Sequence, residues 1–327
     1  MKITSIIIAK FPVIEILYRN LYWRSRIFHN IGNRISSRSR KKSKNIVPMK
    51  IEKNSSLLDE MRSSLIKMGI DEGDTILVHS STTKLNKDGH KPDDIIRSLE
   101  SIIKSKGTLV FPAFPKHKES PEKFERFDYS NFEKPFEFNK RKNKIWTGLL
   151  PRYFVRQEDV YHSSIPINTL AARGFRAKQI IGEDDKTVNY PCGSNTPWEQ
   201  CLNLNAKIIM IDIDVAHSLT MIHTAEDLFE TEWPIKNWYR NRKFNIINGL
   251  EKTEININER DPKWALFYCE KRLNYDLKKN NIFQYEKTQG GLNLAVCQSK
   301  DLIDFLNQKK HCGYPYYIPW YIKWLLK

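Results

Sequence analysis

AKIIMIDIDVAHSLTMIHTAEDLFE, residues 206–230, is the stretch whose reading decides the fold. Its first half, Lys207 to Ile213, is a short isoleucine-rich run of the kind a buried strand requires, and polar residues then break it. Its second half begins at Ser218, an N-cap residue type, and continues as LTMIHTAEDLFE, with good helix formers and an apolar stripe at Leu219, Ile222 and Leu228. The order is strand, turn, helix. Thr220, His223 and Glu226, spaced three apart, then share one helix face near the strand's C-terminal end, where ligands collect in open α/β sheets.

A histidine three residues before a glutamate is commonplace on a solvated helix, so the spacing alone proves nothing. Chemically the pair is a general-base dyad: the imidazole accepts a proton from an attacking nucleophile, while the carboxylate fixes its tautomer and stabilises the imidazolium. No second HxxE and no HExxH occurs to complete a ligand set, so no metal is expected.

Upstream of this stretch, SSLLDEMRSSLIKMGI from Ser55 reads as an N-capped amphipathic helix, followed by the strand TILVHSS, Thr75 to Ser81. KPDDIIRSLESIIKSKG is a helix with Pro92 in its first turn and Gly107 as its stop, before the strand TLVFPAF, Thr108 to Phe114. A strand–helix–strand unit implies parallel neighbours, which brings His79-Ser80-Ser81 beside Pro112-Ala113-Phe114. The charged stretch from Lys116 to Lys144 has no clear period and reads as a flap. IWTGLLPRYFVRQ is a helix, VYHSSIPINTLAARG a strand, and YPCGSNTPWEQCL a turn with a helix start at Thr196-Pro197. Downstream, IKNWYRNRKFNII is a strand, DPKWALFYCEKRLNYDL a helix, GGLNLAVCQ a strand and SKDLIDFLNQ a helix, and the aromatic tail YPYYIPWYIKWLL packs onto the body. The fold class is α/β: a mixed, largely parallel sheet flanked by helices, with a basic N-terminal extension.

Charge is unevenly spread. Residues 1–53 hold 13 Lys/Arg against Glu15 and Glu52, a net of +11 that leaves only +5 of the total +16 for the remaining 274 residues. Residues 1–52 are therefore an arm and 53–327 the catalytic body. The arm mixes large apolar and aromatic side chains with cations, Pro12 interrupts any helix, and the basic run RISSRSRKKSK spans Arg34 to Lys44. It has three readings: a solvated tail, a peripheral anchor on anionic lipid through residues 1–44, or a nucleic-acid arm. No nucleic-acid motif follows it, so no nucleic acid is expected, whereas apolar residues ahead of a basic cluster suit a membrane surface. No segment reaches the ~20 apolar residues of a spanning helix, and ITSIIIA is too short for a signal peptide. The five widely spaced cysteines form no CxxC, as expected of reduced thiols in a cytoplasmic protein at most touching the inner membrane surface.

Taken in order, GDTILVHSS (73–81), GTLVFPAF (107–114), FD (127–128), TGLLPRYF (147–154), HSSIPINTLAARG (162–174), GSNTPW (193–198) and TMIHTAE (220–226) resemble the aminoglycoside 3-N-acetyltransferase family. The resemblance covers about residues 55–310. It implies an acetyl-CoA-dependent acyltransferase with the co-substrate in a cleft by the sheet edge and His223 and Glu226 as the catalytic pair. It also implies His79, Ser80, Ser81 and Thr220 on the cofactor side and Asp128, His162 and Ser163 on the acceptor side. Transfer is expected by direct attack, and Cys192, with no base beside it, is expected to be an inert small hydrophobe. Lys84 and Lys87 are either phosphate ligands or surface lysines. Where the family usually has Arg-Ser and then His-Pro, this chain has His162-Ser163 and Ile165-Pro166, and Thr169 stands where Ser is commoner. The acceptor is accordingly an aminoglycoside or another amino sugar, for example one on a nucleotide or lipid carrier in surface polysaccharide synthesis. The competing class is a drifted relative that only binds CoA or sugar.

Overall fold

A computed structural model describes residues 3–34, 56–122, 124–140, 142–182, 188–320, 324 and 326. Residues 35–44 of the basic run lie outside the described residues. Two helices, α1 (Ile3–Lys10) and α2 (Pro12–Arg24), open the chain, followed by α3 (26–34). Pro12 does separate two helices, but as the first residue of α2, where its missing N–H costs nothing. Next come α4 (Leu57–Lys67), β1 (Thr75–Ser80), α5 (Thr83–Lys87), α6 (Pro92–Ile103) and β2 (Thr108–Pro112). The chain then runs through β3 (Pro115–Lys116), β4 (Phe136–Phe138), β5 (Lys144–Ile145), α7 (Leu149–Phe154), β6 (Tyr161–His162), β7 (Leu170–Gly174), α8 (Ala177–Ile181) and α9 (Pro197–Asn203). Last are β8 (Lys207–Ile211), α10 (Val215–Ser218), α11 (Ile222–Leu228), β9 (Tyr239–Asn248), β10 (Glu251–Arg260), α12 (Glu270–Lys279), β11 (Gln284–Lys287), β12 (Asn293–Gln298) and α13 (Ser299–Lys309).

Seven strands form the main sheet in the order β11-β12-β8-β1-β2-β7-β6. Its centre, β8-β1-β2, is parallel, with His79 opposite Met210 and Leu77 opposite both Ile208 and Val110. Antiparallel strands extend it on both sides. The central strands are apolar on both faces because both are covered. Side chains alternate: Leu77, Val110, Ile208 and Met210 join a core with Ile180 of α8, Trp198 of α9, Leu273 of α12 and Leu302 of α13. Ile76, Val78, Leu109, Ile209 and Ile211 point the other way, onto Met61 of α4, Leu99 of α6 and Phe154 of α7. The result is a three-layer helix–sheet–helix sandwich.

Local signals set the helix starts. Ser56 accepts the Asp59 N–H at 3.1 Å, Asp94 accepts the Lys91 N–H at 2.8 Å, and Thr196 accepts the Glu199 N–H at 3.3 Å. Ser218 does not act this way. It ends the short helix α10, which Asp214 caps, and the chain breaks at Leu219-Thr220 before α11 begins. The strand expected over VYHSSIPINTLAARG is a pair, β6 and β7, because Ser163 to Thr169 turn the chain back on itself.

The stretch from Lys116 to Lys144 is stitched to the body. Strand β4 pairs in parallel with β9, Phe136 and Phe138 are buried, and both His117 ring nitrogens meet backbone carbonyls, of Glu137 and Pro166. Strands β9 and β10 form a long hairpin that carries Arg260 back to the helical layer. Residues 3–34 also lie on the body: Glu15 is buried and accepts the Lys271 N–H at 3.0 Å, and Arg19 meets Glu270 at 2.6 Å.

Gly174 sits where β7 meets β2 at φ +119, and a Cβ there would stand 2.3 Å from the Gly107 carbonyl oxygen. Neither the backbone conformation nor the space admits a side chain. Gly174→Ala is expected to lower unfolding stability by more than about 2 kcal/mol, measured by urea titration.

Candidate active site

The parallel centre of the sheet ends beside α10 and α11, and the break between those helices presents Thr220 and His223 on one wall. His223 Nδ1 lies 2.8 Å from Glu226 Oε2. The other carboxylate oxygen, Oε1, accepts the Tyr316 hydroxyl at 2.9 Å. Tyr316 in turn accepts from the Arg260 guanidinium. Burial drives the Tyr316 phenol well above its ordinary pKa, so it keeps the proton it donates. Burial disfavours the Arg260 cation, yet Tyr316 and Glu226 beside it hold it protonated. Glu226 is 1% exposed, whereas the His223 side chain is 21% exposed. With Nδ1 committed to the carboxylate, Nε2 is the ring nitrogen with a lone pair for the pocket.

Two pockets meet at His223 and Arg260. One, of about 190 Å³, is walled by Thr220, Tyr268, Glu270 and Arg19, the last from the N-terminal arm. The other, of about 130 Å³, is walled by Asn168, Pro191, Glu226, Asp227 and Glu259. Its carboxylates are already engaged. Glu259 accepts from both Arg240 and Arg242. Asp227, pushed well above the ordinary carboxylate range by burial and by Glu226, accepts the Cys192 N–H at 2.9 Å and the Tyr239 hydroxyl at 3.1 Å.

The other expected site residues are dispersed. His79 is buried at the end of β1, and its Nε2 has no hydrogen-bond partner among the described residues. Ser80 ends the strand, and the Ser81 N–H is already donated to the Ile211 carbonyl. Asp128 is exposed and caps the 3₁₀ turn Tyr129–Phe132, accepting from Ser130. Ser163 is buried and accepts the Ile165 N–H. His162 lines a third cavity of about 950 Å³, walled by Lys140, Lys142, Lys144, Arg152, Arg156 and Lys178, with no carboxylate among the described residues that line it. Lys84 is spent on an internal ion pair with Asp212 at 2.6 Å and on the Gly291 carbonyl. Cys192 is fully buried, and burial, with Asp227 nearby, raises its thiol far above the range in which a thiolate forms. Trp146 is exposed while Trp198 is core.

Sequence reasoning missed Arg260, Tyr316 and Asp227. Arg260 ends TEININER, whose Ile255–Ile257 alternation is a strand signal that could have been read. Tyr316 belongs to an aromatic tail whose spacing has no period to reveal which ring points inward.

A family model described as aminoglycoside 3-N-acetyltransferase matches residues 77–309. Among solved structures, the chain is similar to the aminoglycoside acetyltransferase AAC(3)-Xa, at 17% identity over 77% of this chain and 91% of that one, with a TM-score of 0.63. AAC-IIIb in binary complex with CoASH matches at 17% over 80% of this chain and 98% of that one, TM-score 0.63. AAC-VIa bound to sisomicin matches at 15% over 77% and 98%, TM-score 0.61. At these identities the likeness is one of fold. The arm with Arg19 and the tail with Tyr316 fall outside the family match.

Burial lowers the His79 pKa from 6.5 to about 4. The unfolded chain therefore takes up this proton before the folded one does, so stability present above pH 6.5 is lost as pH falls toward 4, by about 3 kcal/mol from this group. Urea titrations at several pH values are expected to show a shallower acid loss in His79→Leu than in the parent.

Proposed function

The chain belongs to the aminoglycoside 3-N-acetyltransferase family, and from that premise we propose that it moves acetyl from acetyl-CoA to an amino group of an amino sugar, with His223 as general base. The observation that carries this reading is the 2.8 Å contact of His223 Nδ1 with a Glu226 carboxylate that is itself held on its other oxygen. An ammonium has no lone pair, so the attacking amine must be neutral and must shed a proton as the N–C bond forms. The amine nitrogen attacks the thioester carbonyl carbon, and Nε2 takes its proton. The C–S bond then breaks with its electrons on sulfur, and the imidazolium returns the proton to the departing thiolate. Glu226 fixes the tautomer that leaves Nε2 free and offsets the imidazolium charge.

Thr220, which shares a pocket with His223, is the side chain we assign to the carbonyl oxygen as charge develops on it. His79, Ser80 and Ser81 stay on the cofactor side of this reading and Asp128 and Ser163 on the acceptor side, while His162, which lines the cationic cavity, moves from the acceptor side to the cofactor side. With Lys84 spent internally, the cationic cavity around Arg152 and Lys178 has the charge suited to the phosphates of CoA. Direct transfer is favoured over an acyl-enzyme, because the Cys192 thiol is inaccessible and held protonated.

One observation favours an anionic amino sugar over a polycationic aminoglycoside. A polycation needs spare carboxylates, and Glu226, Asp227, Glu259 and Glu270 are each engaged or neutralised, Glu270 by Arg19 and His217. Arg19 and Arg260 instead stand in the wall beside His223. Arg126, whose guanidinium stacks 3.7 Å from the Trp23 ring, has no carboxylate partner among the described residues, and its Nε is buried without a hydrogen bond. Burial, then Arg19 and Arg260, push Arg126 down to about 10.

His223→Ala is expected to lower kcat by at least about 100-fold while calorimetry shows unchanged acetyl-CoA affinity, and Glu226→Gln to cost about tenfold or more. Activity of the alanine variant above a few per cent of the parent would remove the base assignment. In an acceptor panel followed by CoA release, an amino sugar bearing phosphate or carboxylate is expected to give a higher kcat/KM than sisomicin.

A further inference from the structure

Helix α2 carries its polarity inside out. Glu15 and Ile16 are buried and Arg19 half-buried on the side facing α12, while Val13, Ile14, Leu17, Tyr18 and Leu21 are exposed at between 38% and 59%. At 100° per residue these five fall within an arc of about 140° on the opposite face. A helix at a water boundary has its charged side outward and its apolar side inward; this one has the reverse. The patch continues through Phe11 before it and through Ile27, Phe28 and Ile31 of α3, all exposed. Scattered exposed apolar residues need no explanation, but a continuous stripe across consecutive helices does.

We propose that this stripe is a membrane-docking face, seated in the headgroup region of an anionic bilayer with the helices lying in its plane. The charge around it selects that occupant. Lys10, Arg24 and Arg26 are exposed along the same helices, and the sequence continues into the basic run Arg34 to Lys44. Pairing with a second copy through this face would set those cations against their own counterparts, whereas anionic headgroups complement them. The helices lie on the surface and do not cross: α1 has 8 residues and α2 has 13, and no helix of the described residues is long and apolar enough to span. Shallow apolar insertion combined with electrostatic attraction supplies the two signals that stable peripheral anchoring requires.

The test uses the full chain and sedimentation with vesicles of phosphatidylcholine alone or with about 30% phosphatidylglycerol. The parent is expected to pellet with the anionic vesicles at least about tenfold better than with the neutral ones. The double variant Leu17→Gln/Leu21→Gln, altered only at exposed positions, is expected to lose about tenfold or more of that binding with acetyl transfer to a soluble acceptor unchanged. Equal binding of the variant, or no binding of the parent to anionic vesicles, overturns the proposal. So does a parent that elutes as a dimer, ignores vesicles and becomes monomeric in the variant, since the face would then belong to a second copy.

Discussion

A carboxylate almost entirely out of water, Glu226, organises the part of the molecule around His223. Burying such a charge without partners would cost several kcal/mol, so the chain must bring donors to both oxygens. It does so with His223, one helical turn away, and with Tyr316 from the C-terminal tail, behind which stands Arg260 from the end of the β9–β10 hairpin. The Tyr239 hydroxyl, from the start of the same hairpin, closes on the Glu226 carbonyl at 3.1 Å. Satisfying one buried acid thus ties helix, hairpin and tail into one piece, and the by-product is an imidazole whose orientation is fixed from behind while its edge stays exposed. That is the geometry a proton acceptor needs, since rotation of the ring would present the wrong nitrogen.

How much of this could be read from the chain depended on whether the signal was local. Strand β8 and helix α11 were legible because a buried strand needs an unbroken apolar run and a helix shows its period within a few residues. The β1–α6–β2 unit was legible for the same reason, and its strict in–out alternation, Ile76 and Val78 against Leu77, follows from two covered faces. Within the dyad, the three-residue spacing that suggested His223 and Glu226 is local too. Arg260 and Tyr316 are not: they reach Glu226 across 34 and 90 residues of sequence, through a hairpin and an aromatic tail whose directions are set by packing. Ser218 was misjudged as a cap because Asp214, four residues earlier, holds the stronger position, accepting the His217 N–H at 3.1 Å. The segment from Lys116 to Lys144 looked like a flap because its anchors, His117 and the two phenylalanines of β4, are isolated apolar points in a charged background.

The N-terminal arm was judged by composition, and composition averages over faces. Its net positive charge is real, but the structure separates that charge by direction. Glu15 and Arg19 turn inward to meet Lys271 and Glu270, while the large apolar residues turn out. Burial works against the Glu270 anion, yet His217 and Arg19 hold its carboxyl down at about 2, so this contact between arm and body remains charged at any physiological pH. An anchor of that kind fixes which side of α2 faces the protein, and by exclusion which side faces away.

The same orientation bears on the acceptor. Arg19 reaches the pocket beside His223 from the inner face of α2, so the wall of that pocket and the outward apolar stripe belong to a single helix about 10 Å across. Arg126 stacks on Trp23 of that same helix and has no carboxylate partner among the described residues. Arg19 is matched by Glu270 and Arg260 has Glu226 and Tyr316 beside it, so Arg126 is the cation of this group to which a ligand's negative charge would add most. An aminoglycoside has no such charge to give; a sugar carrying phosphate or carboxylate does. The arm that lies outside the family match therefore adds to the wall beside His223 a side chain that the matched segment does not supply, Arg19 with its Glu270 partner.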